Sequence, residues 1–424
     1  MTNPHSDANN GALINVQTSI LPQKEIELVV SEHRSCADLE SIRNQWSKLV
    51  QEVPGTSIFV TPEWLLSWWH AYCGSREFCL LAFTDPQAGV VAIAPLYKEV
   101  AKSFVFSTIR VLRLMGDGSG DSDDLDFVVM PGYAPAVAKA FFKWLRCKRW
   151  DTCELNCVSS QSEIAAMLQE EMRSMGWGCA VTFRPQIRVS LPDTWEQYLK
   201  QLSSKERKKV GYLLRRLEAH YEVAFRRCER AEELPAFLET LFSLHQKRWE
   251  ARSEPGSFSL PERRDFYGEM SRLLLSRHWL ELWQMELNGV PVAAQIGLRY
   301  GSCIYALQEG FDPAYADDSV GYVLRSHVLR SSIASGIRCY DFLYGDQQSK
   351  QRWGADKSHY LDIHFARPGT LGAFQLAAQQ TCRATKDWFR ARVPAEIWQI
   401  LQAIRRFFPG QSALPAKLED PSTD

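Results

Sequence analysis

Four carboxylates and one tyrosine in the second half of the chain have the types and spacing to move protons. Glu309 and Asp312 follow the apolar run Cys303–Gln308, while Asp341 and Asp346 bracket the end of another run, Cys339–Leu343, with Tyr344 directly after it. In an α/β sheet, ligands converge where strand ends face the start of a helix. There Asp341, Glu309 or Asp346 can accept a proton, directly or through water, and Tyr344 can return one to a leaving group. The same residues carry structural readings. Asp341 alternates with Phe342, so it faces away from that ring and equally suits a buried, hydrogen-bonded carboxylate. Tyr344 at a strand end equally suits half-buried core.

Around these residues lie groups that can hold a substrate. Asp346, Lys350, Arg352 and Trp353 share a polar loop, which reads either as a substrate clamp or as a surface ion pair closing the loop. His245 and Arg248 lie on a helical stretch, where a single histidine is more commonly packed than catalytic. A helix beginning at Ser319, Val320, Gly321 and Tyr322 would aim its first amides at an anion, and Gly321 would let that anion come close. Asp317 and Asp318 stand beside it and can instead cap the helix and repel the anion.

The elements that must position these groups are legible from periodicity and turns. Helices are expected over 36–50, from Pro62, and over 134–146 and 161–175. Thr61 caps the second of these, with Pro62 at its first position. Strands are expected at 78–84, 89–97, 108–114, 125–130 and 153–158, with a strand pair near 179–190. The second half repeats that order. A basic helix (203–219) precedes strand 221–227, helices 231–250 and 261–277, and strands 280–287 and 290–299 around Asn288-Gly289, a hairpin signal. Strand 303–308, helix 320–335 closed by Gly336, strand 339–343 and a last strand at 359–366 follow. The acidic loop from Asp117 to Asp126 is expected near the substrate cleft.

Helix–helix–strand–strand–strand–helix–strand, given twice, implies an α/β (α+β) fold. Each copy would form a mixed, mostly antiparallel sheet flanked by helices. The divisions expected are a disordered 1–25, a first domain 26–190, a second domain 191–370 and a helical tail 371–424.

Composition removes several classes. The 424 residues carry 49 Lys and Arg against 50 Asp and Glu, a net charge of −1, so no global footprint for nucleic acid is present. Fourteen Trp, 14 Tyr and 21 Phe require burial, which excludes disorder as the main state. Eleven scattered cysteines without C-x-x-C suit reduced thiols in a cytoplasmic protein and imply no metal. No signal peptide or apolar span of membrane length is visible. No G-x-S-x-G, H-E-x-x-H, Walker A or G-x-G-x-x-G sequence occurs. Two charged segments remain. Lys205, Arg207, Lys208, Lys209, Arg215 and Arg216 form either a solvated helix face or a contact for a polyanionic or lipid-linked donor. Ala395–Phe408 either packs on a domain or lies on a membrane surface.

Several segments together resemble the CelD-like acetyltransferases of the GNAT superfamily. These are Phe59-Val60-Thr61-Pro62-Glu63-Trp64 with Trp68-Trp69, Ala94-Pro95-Leu96-Tyr97, Leu244-His245 with Arg248-Trp249, and Tyr340-Asp341-Phe342-Leu343 with Gly345-Asp346, Lys350 and Arg352-Trp353-Gly354. The tandem GNAT layout is shared with Fem-type peptidoglycan aminoacyltransferases. The resemblance implies an acyl-CoA-dependent N- or O-acyltransferase, with acetyl-CoA as donor, acting on a saccharide or a cell-envelope or exopolysaccharide precursor. It implies a coenzyme site at Ser319, Val320, Gly321 and Tyr322, with Lys350, Arg352, Trp353, His245 and Arg248 contacting substrate. It also suggests peripheral association with an inner-membrane polysaccharide synthase. The alternatives are an aminoacyl-tRNA-dependent transferase of the Fem type, or a catalytically silent scaffold of an exopolysaccharide machine.

Overall fold

A computed structural model describes residues 26–103, 107–345 and 348–392. The first half runs β1 (Val29–His33), α1 (Glu40–Glu52), α2 (Pro62–Tyr72), β2 (Glu77–Asp85), β3 (Gly89–Lys102), β4 (Thr108–Leu114), β5 (Val128–Val129), α3 (Ala134–Arg146), β6 (Thr152–Ser159), α4 (Glu163–Ser174) and β7 (Cys179–Ser190). After α5 (Trp195–Gln201) and α6 (Ser204–Glu218), the second half runs β8 (Val223–Arg227), α7 (Leu234–Glu250), α8 (Pro261–Ser276), β9 (Leu280–Leu287), β10 (Val290–Tyr300), β11 (Cys303–Phe311), α9 (Val320–Ala334), β12 (Cys339–Tyr344), α10 (Gln348–Gln351), β13 (Asp356–Ala366) and α11 (Leu371–Arg392).

Local chemistry explains where these elements start and stop. The Thr61 side chain accepts the Trp64 amide at 3.3 Å, with Pro62 opening α2. Asn288 and Gly289 both adopt positive φ, 51° and 78°, as the tight β9–β10 turn requires. Gly336, at φ 76°, closes α9. Two expectations need correction. The strand expected over 125–130 shortens to Val128–Val129, because Leu125 bridges to Val158 instead. The strand pair expected near 179–190 is one strand, β7. Pro185 sits inside it, just past the last paired residue of β12, where its carbonyl still accepts the Gly345 amide at 3.1 Å and the regular ladder that would need its N–H has ended. The expected helix over 395–408 lies outside the described residues.

One mostly antiparallel sheet, flanked by helices, runs through the molecule in the order β1-β2-β3-β4-β6-β13-β7-β12-β11-β10-β9-β8, with β5 paired to β3. The two halves read as mirror images in this order, and each gives its last strand to the other. β6 and β7 run parallel with a one-strand gap between them, which β13 fills antiparallel to both. β12 and β13 leave the same gap, and β7 fills it. The sheet is therefore continuous across both halves.

Two apolar layers follow from the alternation of side chains. One joins the first half to α7 and α8 across one face of the second half's strands. The other packs α9 on the opposite face, against Ile187, Val189, Ile304, Tyr340 and Phe342. The halves also meet directly between α2 and α8. There Trp64 packs edge-on against Phe266, ring centres 5.0 Å apart, and Arg277 pairs with Glu63 at 2.8 Å.

Candidate functional site

The site arises where two strands part. β11 and β12 pair in parallel only from Cys303–Cys339 to Tyr305–Asp341. Beyond that point both strands are irregular. A bulge in β11 leaves Leu307 unpaired against β10, and in β12 Phe342 and Leu343 together face one residue of β7. Leu343 takes φ 62°, a left-handed conformation that costs a branched residue about 1–3 kcal/mol and so needs fixed partners. Those partners are two buried carboxylates. Asp341 accepts the Leu343 amide at 2.7 Å, and Asp123, from the first half, accepts the Tyr344 amide at 3.0 Å. Lys350 adds a staple, donating to the carbonyls of Phe342 and Tyr344 at 3.0 and 2.9 Å.

The split opens a cavity of about 570 Å³, within the range of small-molecule sites. Ala306–Glu309 and Phe342–Tyr344 form its strand walls. His245, Arg248 and Trp249 enter from α7, on one face of the sheet, and Arg325 from α9, on the other. Their approach depends on a glycine. A Cβ at Gly310 would collide with the backbone nitrogen of His245, so only glycine lets α7 sit directly on β11.

Glu309 is the meeting point of the two faces. Arg248 reaches it at 3.4 Å, and Arg325 pairs with its other oxygen. Both guanidiniums are set by aromatic rings, Arg248 over Phe311 at 5.1 Å and Arg325 over Phe342 at 5.2 Å. His245 Nε2 takes the Trp249 indole N–H at 2.9 Å. An indole nitrogen only donates, so Nε2 is unprotonated and the ring is the neutral Nδ1–H tautomer.

The acidic loop of the first half supplies one wall, as expected from sequence. Ser119, Gly120 and Asp121 line the cavity. The indoles of Trp64 and Trp68 hold this loop by donating to Ser122 at 2.9 Å and Ser119 at 3.0 Å. Asp121 is buried and pairs with Arg263 of α8, also accepting from Tyr72 and Tyr267 at 3.1 and 3.2 Å. Burial works to lower the Arg263 pKa, but the Asp121 carboxylate beside it raises it overall. Burial and Asp121 both push Tyr267 up, so it stays a neutral phenol.

Of the residues singled out in the sequence, Glu309, Tyr344, His245, Arg248 and Lys350 line this one cavity. Asp341 does not. It is fully buried on the opposite side of β12 from Phe342, held by Gln186 at 2.6 Å and Arg188 at 3.0 Å. Burial raises its pKa, against Arg188 and the Leu343 amide. Trp353 is buried too, stacked on Tyr322 at 4.4 Å, and neither it nor Arg352 lines the cavity. Asp346 lies outside the described residues, and Asp312 is engaged with Lys247 at 2.9 Å. Arg325, Gln295, Asp121 and Arg263 were not singled out. The placement of Arg325, one turn into the helix after Gly321, was the available signal for the first of them.

Ser319, Val320, Gly321 and Tyr322 begin α9 outside the cavity lining. Ser319 is left-handed and no side chain caps the helix, so no carboxylate competes for its first amides, although those of Ser319 and Tyr322 donate to the Ala316 and Ser319 carbonyls, each at 3.0 Å. Asp318 turns instead to Arg216 of α6 at 2.9 Å, and Arg216 also holds the Asp317 carbonyl at 2.6 Å. A Cβ at Gly321 would make only ordinary contact with Phe311, at 3.5 Å. An anionic group fits this helix start. Lys209 of the basic segment lies 4.8 Å from the Tyr322 ring centre, while Lys205, Arg207, Lys208 and Arg215 are exposed. Among the described residues no cluster suits a metal ion, and no helix is long and apolar enough to cross a membrane.

Comparison with known proteins adds the following. Residues 204–351 match the family model described as an acetyltransferase (GNAT) domain. A structure of FemX aligns with TM-score 0.54 at 11% identity, covering 78% of this chain and 96% of that one. A conserved protein of unknown function from Bacteroides thetaiotaomicron aligns with TM-score 0.50 at 11% identity, over 77% and 97%. A tandem GNAT protein from the clavulanic acid biosynthesis pathway aligns with TM-score 0.43 at 11% identity, over 81% and 100%. No curated protein matches the sequence. The matched segment contains α7, β11, α9 and β12 and all of the cavity lining except Ser119, Gly120 and Asp121.

Proposed function

We propose that this chain, which carries a GNAT-type acyltransferase domain over residues 204–351, is an acyl-CoA-dependent N- or O-acyltransferase acting on a saccharide or cell-envelope precursor. The observation that carries the reading is the split between β11 and β12. It places a cavity with a carboxylate, a phenol and fixed cations beside an uncapped helix start, within the matched domain.

Acetyl-CoA, the donor in this reading, supplies an activated acyl thioester; the acceptor nitrogen or oxygen bonds to the acyl carbon as the carbon–sulfur bond breaks. The residues that would hold it are Ser319, Val320, Gly321 and Tyr322, chiefly through the Val320 and Gly321 amides, since those of Ser319 and Tyr322 donate to backbone carbonyls. Glu309 takes the proton of the acceptor amine or hydroxyl, and Tyr344 gives a proton to the departing sulfur. His245, fixed as a neutral ring by Trp249, positions the α7 wall. Pre-set geometry, rather than covalent chemistry by the protein, supplies most of the rate.

The first half is assigned a supporting role. Its parallel pair β4–β6 matches β11–β12 in topology, but Leu125 and its loop bridge across to β6 there, and that loop lines the second half's cavity instead. The exopolysaccharide side of the reading rests on the likeness of the segments around Trp64, His245 and Asp341 to CelD-like acetyltransferases. The test is release of free CoA from acetyl-CoA with amine- and hydroxyl-bearing saccharide acceptors. Acceptor-dependent thiol release supports the reading. Transfer from aminoacyl-tRNA in its place would move the chain to the Fem-type activity.

A further inference from the structure

We propose that Gln295 selects the acceptor. Its side-chain amide hydrogen-bonds a hydroxyl that neighbours the amine or hydroxyl giving its proton to Glu309, so the acceptor is a vicinal diol or amino alcohol, the pattern of a saccharide ring. Gln295 is the single polar side chain in the buried run Val292–Leu298 of β10. An apolar side chain would fill that position and leave no polar atom to satisfy. The strand register sets Gln295 opposite Glu309 of β11, so the two side chains share a face with their Cβ atoms about 4.5–5.5 Å apart. Both line the cavity. Substituents on adjacent carbons of one ring can meet both.

One end of the amide is anchored. Nε2 donates to the Tyr340 hydroxyl at 2.7 Å, and the buried Tyr340 ring is held edge-on by Phe342, ring centres 4.9 Å apart. The other end is open. Oε1, on a side chain only 3% exposed, takes no hydrogen bond among the described residues. A ligand that displaces water from this oxygen must replace the hydrogen bond or leave a buried acceptor unpaired. A hydroxyl suits the amide best. Turned over, the amide would accept the Tyr340 proton on Oε1 and present its two N–H groups to the cavity. A hydroxyl both donates and accepts, so it matches either orientation. An ammonium matches only the oxygen, and a carboxylate only the N–H groups.

This inference rests on the acyltransferase reading for what becomes of the acceptor, but the binding preference is measured without any acyl donor. The experiment is calorimetric titration of the full chain with two pairs of probes, the members of each pair differing by a single hydroxyl. One pair is trans-2-aminocyclohexanol and cyclohexylamine; the other is trans-1,2-cyclohexanediol and cyclohexanol. The hydroxylated member should bind at least about 10-fold tighter, because its partner strands the amide unpaired. A preference in one pair alone also supports the proposal and assigns the seat at Glu309 to nitrogen or to oxygen. Gln295→Met, similar in length and without the amide, should bring the hydroxylated probes to within about 3-fold of their partners. Gln295→Glu keeps an oxygen there and should retain the preference. Thermal melting of both variants reports whether they fold, and a purely structural glutamine would change the melting temperature while leaving the binding ratio alone.

Equal binding within both pairs, no binding of any probe, or a preference that survives in folded Gln295→Met would overturn the proposal. The first two outcomes need only the wild type. A parallel titration with acetyl-CoA separates the claims. Acetyl-CoA binding without a hydroxyl preference removes this inference alone, and a preference lost in Gln295→Met without acetyl-CoA binding removes the acyl-CoA reading alone.

Discussion

Asp341 accepts the backbone N–H of Leu343 at 2.7 Å, and that bond fixes the bulge at which β12 leaves its neighbour. The carboxylate does not face the cavity, yet the cavity has its shape because of it. Asp341 is in this account a positioning residue. Asp341→Asn keeps an oxygen for the Leu343 amide, so activity should fall by no more than about 10-fold. Asp341→Ala also unpairs Arg188 and should cost about 3 kcal/mol in denaturant unfolding. A general base would instead lose activity in both variants, with Asp341→Asn still stable.

Glu309 is the residue whose loss should act on chemistry. Glu309→Gln is expected to lower kcat by about 100-fold or more while leaving acetyl-CoA affinity within about 3-fold, as steady-state kinetics and titration would read.

Gly310 has no room for a side chain. Gly310→Ala would drive a methyl into the α7 backbone at His245, and overpacking against backbone rather than a flexible side chain should cost about 3 kcal/mol. The loss is measurable as a fall in Tm, with activity failing in the same variant because His245 and Arg248 move together.

The exchanged strands tie the two halves into one folding unit. A chain stopped after Gly354 lacks β13 and leaves one edge of β6 and one edge of β7 unpaired, so the first half should be lost along with the second. Limited proteolysis and circular dichroism of that truncation should show no protected fragment spanning residues 26–190. A stable, protected first half would contradict the shared sheet.

A pH effect follows from Asp124, largely buried at the hub of the sheet. Burial, then the neighbouring Asp341 and Asp123, raise its pKa to about 7, with Arg188 opposing. The folded state therefore favours the protonated acid. Its contribution is complete below the ordinary carboxylate range and is lost as pH rises through about 7. Asp124→Asn should gain on the wild type as pH rises from 5 to 8, the difference between them widening by about 2 kcal/mol. Paired denaturant curves at the two pH values check the sign.

Much of this organisation was legible in the chain. Thr61-Pro62, Asn288-Gly289 and Gly336 act locally, through caps and positive φ, and their elements fall where the spacing put them. Glu309, Tyr344 and Lys350 were readable as candidates because they stand at strand ends or in a polar loop, whereas His245 and Arg248, inside a helix, were reached only through the resemblance. Arg325 and Gln295 were not, since a helix face and a strand interior become a site only after β11 and β12 part. Asp121 and Arg263 come from different halves, and only the packing of α2 on α8 brings them together. The strand exchange has no local signal at all. β7 and β13 lie more than 160 residues apart, and hydrophobic alternation says which face a strand buries, not which neighbour it takes.

The most direct test of the central claim is calorimetric titration of the purified chain with acetyl-CoA, repeated with Gly321→Glu and Glu309→Gln. Saturable one-to-one binding is expected, abolished by a carboxylate at the start of α9 and retained in Glu309→Gln. Absence of binding to the wild type, or binding indifferent to Gly321→Glu, would contradict a donor site at that helix.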